Sequence, residues 1–280
     1  MFPWPSNYND CFTISGSITR DGVGLHSGEK TKITLKPYDH EGYYVSFSDS
    51  PNKIYRLDQS LIGNTMLCTA VKLGKRNLYT IEHLLSSFAG CGISYIHIEV
   101  DGKEIPLLDG SAIQWVKAFE EVGIKKVPKP SNFMSEINYS KTFNQNDSVI
   151  SVIPANQIKI ISTIDFKYKA IGVQTFTIEL NPRKYVEMIA PARTFGFKDQ
   201  FEELNELGLI KGGNLDNALV CDGDKWVNPP LRFANEPIRH KILDLIGDLA
   251  LVGLPKAQIM VYKGSHSLNA LLASSLYSNF

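Results

Sequence analysis

Three short stretches of the sequence hold side chains that can do chemistry. In residues 238–252 an imidazole and two carboxylates recur every fourth residue, as His240, Asp244 and Asp248, with Lys241 beside them. Four residues make about one turn of a helix, so these groups would line one stripe. In Thr80-Ile81-Glu82-His83-Leu84-Leu85 a carboxylate directly precedes an imidazole. Residues 262–267 add Lys263 and His266. If His83 meets His240 and Asp244, two histidines and one carboxylate come together. That count leaves the fourth position of a tetrahedral Zn2+ site open for water. Glu82, next to a ligand, would then be placed as general base toward that water. If His266 meets Asp248, the carboxylate would keep it as imidazolium, a candidate acid. Each group also has a plainer reading: a solvated helix face with casual ion pairs, and histidines at the surface.

The elements that must carry these groups can be read from periodicity. With Ile238 at zero and about 100° per residue, Ile242, Leu243, Leu245, Ile246, Leu249, Ala250 and Val252 share an apolar arc. His240, Lys241, Asp244, Gly247 and Asp248 fall in the complementary arc. Arg239 lies within the apolar arc, which is unusual for an ordinary surface helix. A second helix is predicted over 80–89, with Thr80 as N-cap and Ile81, Leu84, Leu85 and Phe88 as its core face. His83 then points away from that core. Strands are predicted over 31–37, 43–47 and 93–100, and a helix over 112–122 that stops at Gly123. The run KKVPKPSN, 125–132, reads as a linker.

The second half begins as the first does. Residues 149–154 and 157–166 alternate like a hairpin, and Ile150 to Pro154 repeats the Ile-to-Pro spacing of Ile33 to Pro37. This favours two α+β domains of like design, 1–127 and 128–280, each a sheet layered against helices. Two glycine runs are set aside. Gly22 to Gly28 precedes a strand rather than a helix, so a hairpin turn suits it better than a nucleotide loop. Lys211-Gly212-Gly213-Asn214 lacks the lysine and hydroxyl of a P-loop and reads as helix C-cap glycines.

Composition narrows the class. The 280 residues are 43% hydrophobic, with 29 basic and 29 acidic side chains. Such a chain folds, and it has no global positive field to attract nucleic acid. The best apolar run, 242–254, is broken by Asp244 and Asp248, so no integral membrane segment is expected. The first basic residue is Arg20, so residues 1–19 lack the charged start of a secretory signal. The four cysteines form no CxxC pair, which suits free thiols. Together these imply a cytoplasmic protein.

The runs TIEHLLSSFAG (80–90), EIPLLDGSA (104–112), PARTFGF (191–197) and RHKILDLIGDL (239–249) resemble UDP-3-O-acyl-N-acetylglucosamine deacetylase, the zinc amidase of lipid A (lipopolysaccharide) biosynthesis. The resemblance extends from about residue 13 to the end. KGGNLDNALV and NPPLRF look like the cyanobacterial and plant branch. It implies two α+β domains with the active site in the cleft between them. It also implies zinc ligands at His83, His240 and Asp244, and a general base at Glu82. Thr194 would steady the oxyanion, and Asp248 with His266 would support and protonate the leaving group. Lys241, Phe195 and Lys263 would bind substrate. The segment near 195–220 would be an insertion forming a hydrophobic passage for the acyl chain; otherwise it is an ordinary helix packing on its own core. One departure stands out: Gly264-Ser265-His266 replaces the usual glycine directly before the histidine, so Ser265 is strained if that position needs φ > 0.

The implied reaction is zinc-dependent hydrolysis of the N-acetyl group of an acylated UDP-amino sugar by a monomer, giving acetate and UDP-3-O-acyl-glucosamine. Whether Glu82 or His266 protonates the amine stays open. Alternatives are a zinc amidase for another N-acylated sugar nucleotide, a non-catalytic sugar-nucleotide binder, or an interaction scaffold without metal.

Overall fold

The computed structural model describes residues 2–63, 67–129 and 136–277. The first half runs β1 (Cys11–Ile14), β2 (Ile18–Val23), β3 (Lys30–Pro37), β4 (Gly42–Phe47), β5 (Ser50–Arg56), β6 (Val71–Leu73), β7 (Arg76–Leu78), α1 (Glu82–Cys91), β8 (Tyr95–Asp101), α2 (Ile113–Val122) and β9 (Ile124–Val127). The second runs β10 (Lys141–Gln145), β11 (Ser148–Pro154), β12 (Lys159–Asp165), β13 (Val173–Glu179), α3 (Pro182–Met188), β14 (Phe195–Phe197), α4 (Phe201–Glu206), β15 (Leu219–Asp222), β16 (Lys225–Trp226), α5 (Glu236–Leu249), β17 (Ala257–Tyr262) and α6 (His266–Tyr277).

The strand alternation has a physical consequence in each sheet. Ile33 and Leu35 of β3 are buried while Lys32 is exposed and Thr34 and Lys36 face outward, and Ile160, Ser162 and Ile164 of β12 turn inward. One face of each sheet is thus apolar and must be covered. The two five-stranded sheets have the orders β2-β3-β8-β4-β5 and β10-β11-β17-β12-β13. In each, the last strand enters the middle, pairing antiparallel on one side and parallel on the other. Two sheet-rich α+β halves are therefore present, as expected. Helices α1 and α5 occupy equivalent places in the two halves and pack on each other. The apolar core runs continuously from Ile33 and Leu35, through Leu84, Phe88, Leu243 and Ile246, to Ile259.

Three local expectations are corrected. Strands β11 and β12 are not a hairpin, because β17 lies between them; alternation shows which face is buried but not which strand is the neighbour. Lys125 to Val127 are not linker. They pair antiparallel with β1, while 130–132 of that run lie outside the described residues. Gly212 is not a helix cap: a Cβ there would lie 2.2 Å from the Gly24 carbonyl oxygen, so the glycine permits close backbone approach to the β2–β3 hairpin turn.

Candidate active site

Helix α5 carries the stripe, and α1 meets it. The two cross closely, because a Cβ on Gly247 would lie 2.1 Å from the Glu82 carbonyl oxygen. Only glycine lets α5 approach the first turn of α1 this way. The polar arc of α5 is consequently not solvated, and His240, Asp244 and Asp248 are all buried. Arg239 is held in the apolar arc by stacking on Phe176 and Phe233 and by donating to the Met188 carbonyl. His83, pointed away from its own sheet, is buried against α5.

Helix α1 begins at Glu82 with Ile81 as its N-cap, so Thr80 is not the cap. Thr80 instead adopts φ 57°, a costly conformation for a β-branched residue. Its hydroxyl donates to Glu104 at 2.8 Å. The buried Glu104 carboxylate also accepts the amides of His26 and Ser27, each at 2.9 Å. It therefore ties the β2–β3 turn to the residue that aims Glu82.

His83, His240 and Asp244 converge, with one potential ligand atom from each all within 4.8 Å of one another. Asp244 Oδ1 lies 3.3 Å from His240 Nε2 and 3.7 Å from His83 Nε2. His240 Nδ1 is 3.0 Å from the Ala192 carbonyl, which can only accept, so Nδ1 bears the proton. Burial lowers the His240 pKa, and burial with His240 pushes His83 down to about 3. With both rings neutral, the His240 Nε2 lone pair faces a carboxylate oxygen. Asp244 Oδ1 is buried without a hydrogen-bond partner. Asp244 stays ionised: burial alone would raise its pKa, but His240, once protonated at low pH, and the Lys241 cation hold it far below the usual range. Lys241 donates to its other oxygen at 2.9 Å, and this pairing outweighs burial and raises the lysine. Converging lone pairs around an orphaned buried anion fit a divalent cation such as zinc.

Glu82 borders this cluster. Burial, reinforced by Asp244 and Asp248 and opposed by His266, pushes its pKa up to about 8. His266 begins α6, and its Nδ1 donates to Asp248 Oδ2 at 2.8 Å. Burial alone would lower this imidazole, but Asp248 outweighs it and lifts the value to about 9. Ser265 is unstrained; its hydroxyl accepts the Leu268 amide at 3.2 Å at the start of α6. Lys263 is the residue with positive φ there, 54°. Its ammonium pairs with Asp147 at 2.7 Å and Asp165 at 3.3 Å, which raise its pKa.

Thr194 is fixed through its backbone, donating to Gly110 at 2.7 Å and accepting from Leu219 at 2.8 Å. Its loop is clamped to the start of α5 by Glu236, which is fully buried and accepts the Arg193 amide, the Arg193 guanidinium and the Arg232 amide. Thr194 and Phe195 line a cavity of about 530 Å³, and the Phe195 ring lies 6.3 Å from that of His240. Leu25 and Leu67 form part of its wall, with Phe201 and Leu204 of α4. No residue of α4 is buried, so this helix does not pack on a core of its own. Sequence reasoning missed Glu104 and Glu236, and also Thr69 and Asn269, whose side chains donate to Asp248. Glu104 opens the run EIPLLDGSA (104–112), yet nothing in spacing marks it as a clamp, and Thr69 has no local signal at all.

Two like sheet-rich halves thus bring a converging set of ionisable groups together at their seam, beside an apolar cavity, in an α+β protein. The chain belongs to the LpxC family, UDP-3-O-acyl N-acetylglycosamine deacetylase, whose profile matches residues 12–278. It is 45% identical over 273 residues to the UDP-3-O-acyl-N-acetylglucosamine deacetylase of Trichormus variabilis, covering 94% of this chain and 97% of that protein. It is 42% identical over 272 residues to the enzyme of that name from Synechocystis sp., covering 96% and 99%. With that from Campylobacter fetus subsp. fetus it shares 37% over 269 residues, covering 95% and 91%.

Proposed function

We propose that this protein is a zinc-dependent deacetylase of lipid A biosynthesis, acting in the cytoplasm as a monomer. It hydrolyses the N-acetyl group of UDP-3-O-acyl-N-acetylglucosamine to acetate and the free amine. The observation that carries the reading is the unpartnered Asp244 oxygen facing two buried imidazoles, beside Glu82. His83, His240 and Asp244 would hold the ion. A bound zinc supplies Lewis acidity toward the amide carbonyl and lowers the pKa of water at its open position.

The chain's own groups supply the rest. Glu82 takes a proton from the attacking water. Thr194 donates its hydroxyl to the oxyanion as the carbonyl carbon becomes tetrahedral. His266, kept cationic by Asp248, gives a proton to the amide nitrogen as the carbon–nitrogen bond breaks. Lys241 steadies Asp244 and, with Phe195 and Lys263, would bind substrate. The cavity beside Phe195 takes the acyl chain. The reading is tested by zinc content of the purified protein, together with acetate release from the acylated sugar nucleotide. Acetate release undiminished after strong chelation, with no metal added back, would overturn the zinc assignment.

A further inference from the structure

Thr69 lies before β6 and is 1% exposed. Its peptide is pinned to the start of α1 on both sides. The Thr69 amide donates to Glu82 Oε2 at 3.0 Å, and its carbonyl accepts the Ile81 amide at 3.2 Å. Its hydroxyl faces the other way, donating to Asp248 Oδ1 at 2.5 Å and lying 3.4 Å from His266 Nδ1. The second Asp248 oxygen accepts from His266 and from Asn269 Nδ2, each at 2.8 Å. We propose that Thr69 is a positioning residue that sets the general base and the His266–Asp248 pair in one fixed relation. The proposal rests on the deacetylase reading above.

The physical case is one of geometry. A carboxylate bound through one oxygen can still turn about its χ2 bond. With Thr69 on Oδ1 and two donors on Oδ2, the Asp248 plane is fixed, and so is the direction in which it holds His266. Loss of the hydroxyl would leave Oδ1 buried without a donor, which favours rotation of the carboxylate toward another partner. The backbone contact to Glu82 needs no particular side chain. The two functions are therefore separable: substitution at Thr69 removes the link to Asp248 and keeps the link to the base. The residue also joins the two halves, since α1 belongs to the first and Asp248 and His266 to the second.

The test compares Thr69→Val, Thr69→Ala and Thr69→Ser in the zinc-loaded protein with the acylated UDP-amino sugar. Valine keeps the shape; alanine removes the hydroxyl without pressing a methyl on Asp248. Both should lower kcat by about tenfold, the usual scale for outer partners, with KM within about twofold. Serine, which keeps the hydroxyl, should restore kcat to within about threefold. In a His266→Ala background, Thr69→Val should cost less than about twofold more, because it acts through that histidine. The low-field Nδ1 proton signal of His266, read by NMR in metal-free protein, should move in the valine variant and return in the serine variant. A kcat near that of the parent for Thr69→Val, an equal loss in the His266→Ala background, or failure of serine to rescue would each overturn the proposal. If the parent protein itself releases no acetate, the deacetylase reading fails, and the NMR comparison alone still decides whether Thr69 holds the Asp248–His266 pair.

Discussion

The two halves share a strand order and a helix placement but divide the chemistry unequally. In each, a helix enters before the central strand and a second follows it: α1 and α2 around β8, α5 and α6 around β17. From the first half come Glu82 and His83, at the start of α1. From the second come His240, Asp244 and Asp248 along α5 and His266 at the start of α6. The second half also inserts β14, α4, β15 and β16 before α5, and with them much of the cavity wall. A repeated scaffold therefore does not imply a repeated site. The His83–His240–Asp244 trio forms only where the equivalent helices cross, and neither half holds all of it.

The largest effects should come from breaking that crossing at either partner. His83→Ala in the first half and His240→Ala or Asp244→Ala in the second should behave alike. Each should lose zinc and about 10⁴-fold of activity, the scale of several kcal/mol of lost charge stabilisation. Metal analysis beside acetate release checks this. Full zinc content in His83→Ala would mean that the second half binds the ion alone.

Glu82→Gln sharpens the division of labour. It comes from the same helix as His83, yet it should leave zinc content intact while kcat falls by about 10³-fold, as for loss of a general base. Loss of metal instead would make Glu82 a ligand or a structural residue.

The inserted cavity is tested by substrate rather than by mutation. Four buried methylenes at about 0.8 kcal/mol each give about 100-fold in kcat/KM if the contact persists in the transition state. UDP-N-acetylglucosamine without its acyl chain should be hydrolysed less efficiently by at least that factor. Equal kcat/KM values would exclude acyl recognition by the second half's insertion.

The smallest effect concerns the acid. His266 is lifted from an ordinary 6.5 to about 9 by Asp248 against the burial penalty. A raised folded value means that the pair favours the fold fully below pH 6.5 and that this contribution fades as pH rises through about 9. Activity that needs the protonated ring should fall on the same alkaline side, by about tenfold between pH 8 and 10. A pH profile of kcat/KM checks this, and His266→Ala should remove that limb. An unchanged profile in the variant would assign the limb to another group.

Much of this was legible along the chain. Strand alternation gave the buried faces of β3, β4, β8, β11 and β12, and the α5 stripe gathered His240, Asp244 and Asp248 because a helix repeats every 3.6 residues or so. These are local properties, set by backbone periodicity and by the cost of leaving apolar side chains in water. Tertiary structure alone decided the rest. Periodicity cannot show that β17 enters between β11 and β12, since strand neighbours are chosen by packing of distant segments. Nor does it show that the polar arc of α5 is buried, which depends on Gly247 admitting the Glu82 backbone. The left-handed Thr80, the Glu104 clamp and the Thr69 bridge to Asp248 have no pattern in sequence. Each is made by groups far apart in the chain, and a hydrogen bond depends on where its two atoms end up, not on how many residues separate them.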